Sequence, residues 1–301
     1  MEDNPMCIQY SPYENSRHAT PLVLIHDGGG TIFPYVRLGS LNRDVWAIHD
    51  PNWSTSELYE GGLDEMAGVY IDFIKNVGIR GSILLGGWSL GGYISLAIAK
   101  KLAGAVSPEF SIAGMLIIDS PLHIPMCKLR PAGPDPDFEH LPELVRKSFA
   151  NCDVYLKEWE LPHWDGPTCQ GSPVRATIHD EVYTIPNDRI LQKRLGQKWC
   201  TIEVKRFEHD ASIPENSAGP PPAVMIRCDL PSPNGRGLEP CHIDRFRHEP
   251  LLRWDGSYPS FIKAVIDVDT THYGIFDPSH VKVATQQLNE GLDILDSLKV
   301  L

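Results

Sequence analysis

Short apolar runs alternate with amphipathic helical patterns along most of this 301-residue chain. Runs of this length, each followed by a helix, are typical of β-α units stacked around a parallel sheet. Residues 63–77 carry apolar side chains at three- and four-residue steps, which predicts an amphipathic helix. The sequence therefore predicts an α/β fold with a mostly parallel central sheet flanked by helices. Buried strands are expected at residues 21–26, 45–50, 82–87, 112–119, 223–229 and 261–268.

The alternation stops between residues 120 and 222, where proline and glycine interrupt several short helical patterns. We expect a large, partly helical and irregular lid insertion over 120–222, and a core formed by 1–119 and 223–301. Asp277 and Pro278 resemble the N-cap and first residue of a closing helix. The chain is thus predicted to consist of one core and one insertion.

Charge and cysteine usage narrow the classes of function. The net charge of -12 at pH 7, without a local lysine or arginine cluster, disfavours nucleic acids and anionic membranes as partners. The seven cysteines form no C-x-x-C pair, which argues against a disulfide framework or a zinc ribbon. Since the sequence also has no signal-peptide-like start and no membrane-span-length apolar run, we expect a cytoplasmic protein with reduced thiols.

Cofactor motifs are also missing from the sequence. Neither G-x-G-x-x-G nor a P-loop occurs between a strand and a helix, so no nucleotide cofactor is expected. His242 and His248 are six residues apart, which matches no standard metal pattern, and we expect structural roles for both. The predicted site therefore contains neither cofactor nor metal.

Ser89 lies at the junction of a predicted strand and a predicted helix, in the pentapeptide GWSLG of residues 87–91. This matches G-x-S-x-G, in which a sharp turn exposes the serine hydroxyl. The pentapeptide alone is a weak signal, since a serine also suits a tight turn, but its setting favours a nucleophile. The N–H groups of Leu90 and of Gly28 or Gly29 are then candidates for an oxyanion hole, although these glycines could merely permit a tight turn.

A serine nucleophile needs a base and an acid. His272 fits the base because it lies between the last predicted strand and the closing helix, whereas structural roles suit His26 and His280 better. Asp119 and Asp229 each end a predicted strand, and either carboxylate could hold the imidazole in the required tautomer. The residues alone leave the acid open between these two.

Three stretches, PLVLIHDGGGT, LLGGWSLGGY and IIDSPLH, are similar to the motifs of a known enzyme family. The chain resembles the thioesterases of fungal polyketide and nonribosomal-peptide assembly lines, which have the α/β-hydrolase fold. The resemblance is strongest over residues 20–122 and returns near DTTHYGIFDPSHV. It implies Ser89 as nucleophile and His272 as base, and it favours Asp119, within an aspartate-serine-proline motif, as the acid. The two threonines before His272 depart from the glycine-aspartate often found there.

The resemblance also implies a reaction and a partner. An acyl chain would leave a phosphopantetheine-linked thioester on an acyl carrier protein or carrier domain through a Ser89-bound acyl-enzyme, by hydrolysis, cyclisation or transfer. The insertion would cover the acyl pocket, with Phe149, Trp159 and Trp164 as candidate liners. The starting methionine suggests a free-standing enzyme. Two other interpretations stay open: a carboxylesterase or lactonase with the same triad, and a noncatalytic relative that only binds ligands.

Overall fold

The secondary structure follows the predicted alternation of strands and helices. The structure is a computed structural model that describes residues 4–11, 19–204, 218–233 and 239–301. Its helices are α1 (Phe33–Val36), α2 (Gly62–Asn76), α3 (Leu90–Ala103), α4 (Glu143–Leu156) and α5 (Val281–Ser297). Its strands are β1 (Met6–Gln9), β2 (Leu22–Ile25), β3 (Val45–Ile48), β4 (Gly81–Trp88), β5 (Phe110–Ile118), β6 (Val174–Ile178), β7 (Glu181–Ile185), β8 (Arg189–Lys193), β9 (Cys200–Glu203), β10 (Ala223–Cys228), β11 (Ile262–Val268) and β12 (Lys299–Val300).

A central sheet organises the described residues. It has nine strands in the order β1-β3-β2-β4-β5-β10-β11-β8-β9. Every neighbouring pair from β3 to β8 is parallel, and the edge strands β1 and β9 are antiparallel to their neighbours. Each of the six predicted strands is present. The prediction of a mostly parallel sheet is therefore confirmed.

Helices cover both faces of this sheet. Tyr70 of α2 and Ile94 of α3 belong to the hydrophobic cluster on one face, and Leu288 and Leu292 of α5 belong to the cluster on the other. Continuous apolar strands such as β10 suit this arrangement, because both faces of a parallel sheet are buried. None of the helices within the described ranges combines the length and apolar character needed to cross a bilayer.

The segment 120–222 contains more sheet structure than its sequence predicts. Within it, β8 and β9 extend the central sheet, where Leu191 pairs with Ala264 of β11. The hairpin β6-β7 forms a separate three-stranded sheet with β12. Ile190 and Leu191 of this segment are therefore buried as part of the central sheet. Residues 205–217 of the predicted insertion lie outside the described residues.

The closing helix also begins later than expected. Helix α5 starts at Val281 with His280 at the N-cap, so the predicted start at Pro278 is wrong. The Asp277 carbonyl oxygen instead accepts hydrogen bonds from the backbone N–H groups of His280 at 2.9 Å and Val281 at 2.8 Å. Asp277 and Pro278 thus belong to a turn that precedes the helix.

Gly91 lies where α3 passes the end of β2, and its missing side chain permits this approach. An added Cβ would lie 2.4 Å from the Ile25 carbonyl oxygen and 2.8 Å from that of His26. Because backbone atoms cannot move aside cheaply, we expect Gly91→Ala to lower the free energy of unfolding by about 2–3 kcal/mol. Urea unfolding measures this change.

Gly68 supplies the matched control. It lies in α2, and no atom is within 4 Å of an added Cβ. We expect Gly68→Ala to raise the free energy of unfolding by about 0.5–1 kcal/mol, since alanine favours helix more than glycine does. A Gly91→Ala variant as stable as the wild type would contradict the close approach of α3 to β2.

Candidate active site

Ser89 occupies a strained turn between β4 and α3. Its backbone has φ 55° and ψ -117°, a conformation that non-glycine residues rarely adopt. The turn is held from both sides: the Ser89 N–H donates to the Ile118 carbonyl at 3.0 Å, and Ser120 Oγ donates to the Ser89 carbonyl at 2.7 Å. These bonds fix the Ser89 backbone at the carboxyl edge of the sheet, beside the end of β5.

Asp119 follows β5 and is completely buried. Its carboxylate accepts hydrogen bonds from the Cys228 N–H at 2.8 Å, from Arg247 Nη1 at 2.5 Å and Nη2 at 2.8 Å, and from His272 Nδ1 at 2.8 Å. Burial alone would raise the pKa of Asp119, but the positive charge of Arg247 and the hydrogen bond from His272 outweigh it and lower that pKa. The carboxylate is thus held ionised in the protein interior.

His272 lies after β11 and is 1% exposed. A carboxylate can only accept, so the bond to Asp119 places a proton on Nδ1 and leaves the Nε2 lone pair free to take up a proton. The imidazole packs on Trp88, the residue before Ser89, with ring centroids 5.1 Å apart. Among the described residues, no hydrogen bond joins Nε2 to Ser89 Oγ. Catalytic bonds of this kind often form only when substrate binds.

Asp229, the alternative acid, pairs with an arginine and not with His272. Its carboxylate accepts a hydrogen bond from Arg227 Nη2 at 3.1 Å, and its side chain is 58% exposed. Of the two aspartates that the sequence left open, the structure brings Asp119 to His272.

The glycine-rich turn after β2 lies against helix α4. The Gly30 N–H donates to the Asp27 carbonyl at 3.0 Å, which closes the turn, and Gly29 lies against the Asp27 carboxyl. An added Cβ on Gly28 would lie 3.2 Å from Phe149 Cδ1, so the helix packs directly on this turn. The N–H groups of Gly28 and Gly29 both stay candidates for an oxyanion donor.

Leu90 is the other predicted oxyanion donor, and it is the first residue of α3. The first N–H groups of a helix have no partner within the helix and point out of its N-terminus. The Leu90 N–H is therefore directed by the same turn that strains Ser89. The Gly92 N–H, two residues further on, donates back to the Ser89 carbonyl at 3.1 Å.

Aromatic rings connect helix α4 to His272. Phe149 packs against Phe138, Phe138 against Tyr273, and Tyr273 against the His272 ring, with centroids 5.1, 5.1 and 4.9 Å apart. Of the three candidate liners in the predicted lid, Phe149 is thus next to the site. Trp159 and Trp164 pack near helix α3 instead.

Trp159 and Trp164 contact residues around α3. The Trp159 ring lies 6.3 Å from that of Tyr93, and the ammonium of Lys100 lies 5.0 Å from the centre of Trp164. Lys100 also pairs with Asp165 at 3.6 Å. These contacts are packing interactions outside the Ser89, Asp119 and His272 group.

The remaining histidines have other surroundings. In the buried His26 ring, Nδ1 contacts the Asp27 carbonyl and Nε2 contacts the Tyr70 hydroxyl, both at 2.6 Å, so neither nitrogen is free to serve Ser89. His242 and His248 lie in or beside a short turn after β10. Within the described ranges, no group of three or more histidine, cysteine or acidic side chains is arranged to hold a metal ion.

The sequence does not predict two charged residues of the site, Arg247 and Asp27. Arg247 pairs with Asp119, but its stretch CHIDRFRHEP has no motif that would connect it to a strand end more than a hundred residues earlier. Asp27 stands in the quoted HDGGGT, and its position after a strand was the available signal. Both are buried.

Asp27 gives the stability of the fold a pH dependence. Burial raises the pKa of this carboxyl to about 7, despite the opposing effect of the Gly29 backbone beside it. The unfolded chain has a pKa of about 3.9 there, so the folded state binds the proton more tightly and loses stability as the pH rises towards 7.

Asp27→Asn removes this ionisation. The free energy of unfolding of the variant minus that of the wild type should be about 2 kcal/mol larger at pH 8 than at about pH 5.5. Urea unfolding of both proteins at the two pH values measures this double difference. A difference that does not change with pH would contradict the raised pKa of the buried Asp27 carboxyl.

Comparison with known proteins identifies the family. Residues 20–140 match a family model described as thioesterase domain. The chain is 52% identical over 297 residues to Probable thioesterase KK1J of Curvularia clavata, across 98% of this chain and 97% of that protein. The chain belongs to the thioesterase family. It is also 39% identical to Probable thioesterase lcsE of Purpureocillium lilacinum, across 98% of this chain and 97% of that one.

Solved thioesterase domains share the fold. The NocB thioesterase domain, in covalent complex with a fluorophosphonate nocardicin G analog, aligns with a TM-score of 0.55 at 18% identity over 91% of this chain and 95% of that one. The four-domain nonribosomal peptide synthetase AB3403 aligns at 0.54 and 17% identity over 96% of this chain and 20% of that one. The predicted α/β-hydrolase fold and the resemblance to assembly-line thioesterases are confirmed, and membership of this family makes the chain a hydrolase.

Proposed function

We propose that this thioesterase is a serine enzyme that releases an acyl chain, of polyketide or peptide type, from a carrier-protein thioester. Ser89 is the nucleophile, His272 the general base and Asp119 the residue that orients His272. The 2.8 Å contact between Asp119 and His272 Nδ1, next to a serine in a strained strand-to-helix turn, is the observation that carries this proposal. The chemistry follows the general logic of serine acyl transfer.

In the first half-reaction, Ser89 Oγ bonds to the thioester carbonyl carbon and the C–S bond breaks. The hydroxyl proton passes to His272 Nε2 and from there to the leaving thiol of the phosphopantetheine arm. The negative charge on the carbonyl oxygen is stabilised by the N–H groups of Leu90 and of Gly28 or Gly29. The product is an acyl-enzyme and a free carrier thiol.

In the second half-reaction, water, or a hydroxyl or amine of the chain, attacks the acyl-enzyme. His272 accepts the proton of the attacking group and returns one to Ser89 Oγ, which restores the resting state. Hydrolysis, cyclisation and transfer differ only in the attacking group. The partner in each case is an acyl carrier protein or a carrier domain. We infer that it acts in the cytoplasm, in keeping with its free cysteines.

Asp119→Asn tests the orienting role. Asparagine keeps the shape of the side chain but favours the wrong histidine tautomer, so kcat/KM should fall by about 10³–10⁴. The assay follows thiol release from an acyl-N-acetylcysteamine thioester, with circular dichroism to confirm folding.

Asp229→Asn is the matched control, because Asp229 also follows a strand of the sheet but contacts Arg227 instead of His272. It should change kcat/KM by less than about threefold, as surface substitutions usually do. A larger loss from Asp229→Asn than from Asp119→Asn would reverse the assignment of the acid. Faster turnover of the oxygen ester of the same acyl group than of the thioester would favour a carboxylesterase.

A further inference from the structure

Arg247 contacts both oxygens of the Asp119 carboxylate and shares one of them, Oδ2, with His272. Its Nη1 and Nη2 atoms donate to the two carboxylate oxygens at 2.5 and 2.8 Å. The guanidinium is itself held by Asp244, which accepts from Nε at 2.8 Å, and by the Cys228 carbonyl, which accepts from Nη1 at 2.9 Å. Arg247 is 7% exposed, so its guanidinium is buried and makes four hydrogen bonds.

The bidentate pair fixes how the carboxylate faces His272. A planar guanidinium matches both oxygens of a carboxylate at once, which a single hydrogen bond cannot do. With both oxygens engaged, Asp119 cannot rotate, and Oδ2 stays 2.8 Å from His272 Nδ1. The geometry of the proposed base therefore depends on a residue that touches neither His272 nor Ser89.

The charges of the buried cluster of Asp119, Arg247 and Asp244 add a second effect. Asp119 and Asp244 are negative and Arg247 is positive, so the buried cluster carries one net negative charge, which a proton on His272 would balance. Without Arg247, the negative charge facing His272 would grow. A stronger negative field favours the protonated imidazole, which cannot act as a base.

Other titratable groups surround the cluster. Burial raises the pKa of each neighbouring thiol and phenol, so these groups are uncharged at neutral pH. Asp135, whose pKa burial also raises, faces the cluster from the segment after β5. The neighbours are Tyr93 on α3, Asp135, Cys228 at the end of β10, Cys241 beside Asp244, and Tyr273 beside His272.

We propose that Arg247 is a positioning residue for this thioesterase: it locks Asp119 in the orientation that serves His272, and its charge sets the pH at which His272 becomes a base. The inference rests on the proposed roles of Ser89, Asp119 and His272. It extends the site to a loop that the sequence does not connect with the reaction.

Arg247→Met tests both effects, since methionine removes the charge and the hydrogen bonds while keeping an unbranched side chain. We expect kcat/KM at neutral pH to fall at least about tenfold, and the acid limb of its pH profile to move up by about one pH unit, as loss of an opposing charge predicts. A purely structural role would lower activity without moving the acid limb.

Arg227→Met is the matched control. Arg227 is a similarly buried arginine that forms a bidentate pair with Asp267, at 2.8 Å and 3.0 Å, one strand away from the Asp119 pair. Its loss should destabilise the fold to a comparable degree but leave the acid limb in place. An equal upward shift in Arg227→Met would show that the limb reports general destabilisation and would overturn the proposal.

A titration that needs no turnover separates this inference from the proposed function. The His272 Cε1–H resonance, assigned by its loss in His272→Gln, should titrate at higher pH in Arg247→Met than in the wild type. If the wild type lacks thioesterase activity but this shift occurs, the proposed function fails and the influence of Arg247 on His272 stands. An active wild type whose His272 titration and acid limb do not move in Arg247→Met would overturn the inference.

Arg247→Lys keeps the test decisive if Arg247→Met does not fold. Lysine retains the positive charge but cannot bond both carboxylate oxygens in one plane. The acid limb of the Arg247→Lys pH profile should stay close to that of the wild type. Its kcat should fall about tenfold, because the Asp119 carboxylate is no longer held in one orientation. Wild-type kcat in Arg247→Lys would overturn the positioning role.

Discussion

The buried Asp119 carboxylate is the interaction on which the site depends. It follows β5, whose last five residues are buried, and it accepts hydrogen bonds from three separate segments: the end of β10 through Cys228, the loop between β10 and β11 through Arg247, and the turn after β11 through His272. A carboxylate buried without such partners would cost several kcal/mol. These bonds therefore stabilise the ionised group and bring the three segments to one edge of the sheet.

The order of the strands explains why distant residues meet. β4, β5, β10 and β11 are consecutive, parallel neighbours, so their carboxyl ends lie at the same edge. Ser89, Asp119 and His272 follow β4, β5 and β11. Each reaches the edge through irregular backbone: Ser89 and Asp119 have positive φ, and His272 begins a short turn. The sheet supplies the common edge, and the strained residues aim the side chains.

The sequence predicted what depends on local pattern and missed what depends on distant contacts. Continuous apolar runs located the six core strands, and G-x-S-x-G located the turn at Ser89. The hairpin β6-β7 was missed because its turn residues, His179 and Asp180, adopt positive φ without the glycine that usually marks such turns. Residues alone could not choose between Asp119 and Asp229, and nothing in the pattern indicated Arg247, since a bidentate pair across the fold leaves no local signal.

Covalent labelling tests whether the His272 and Asp119 pair activates the Ser89 hydroxyl. The folded protein is incubated with an alkyl fluorophosphonate, and the adduct is mapped by peptide mass spectrometry. We expect one adduct, on the peptide that contains Ser89, which disappears in Ser89→Ala and forms at least about 10³-fold more slowly in His272→Gln. Labelling of another residue, or a folded wild type that stays unlabelled, would contradict it.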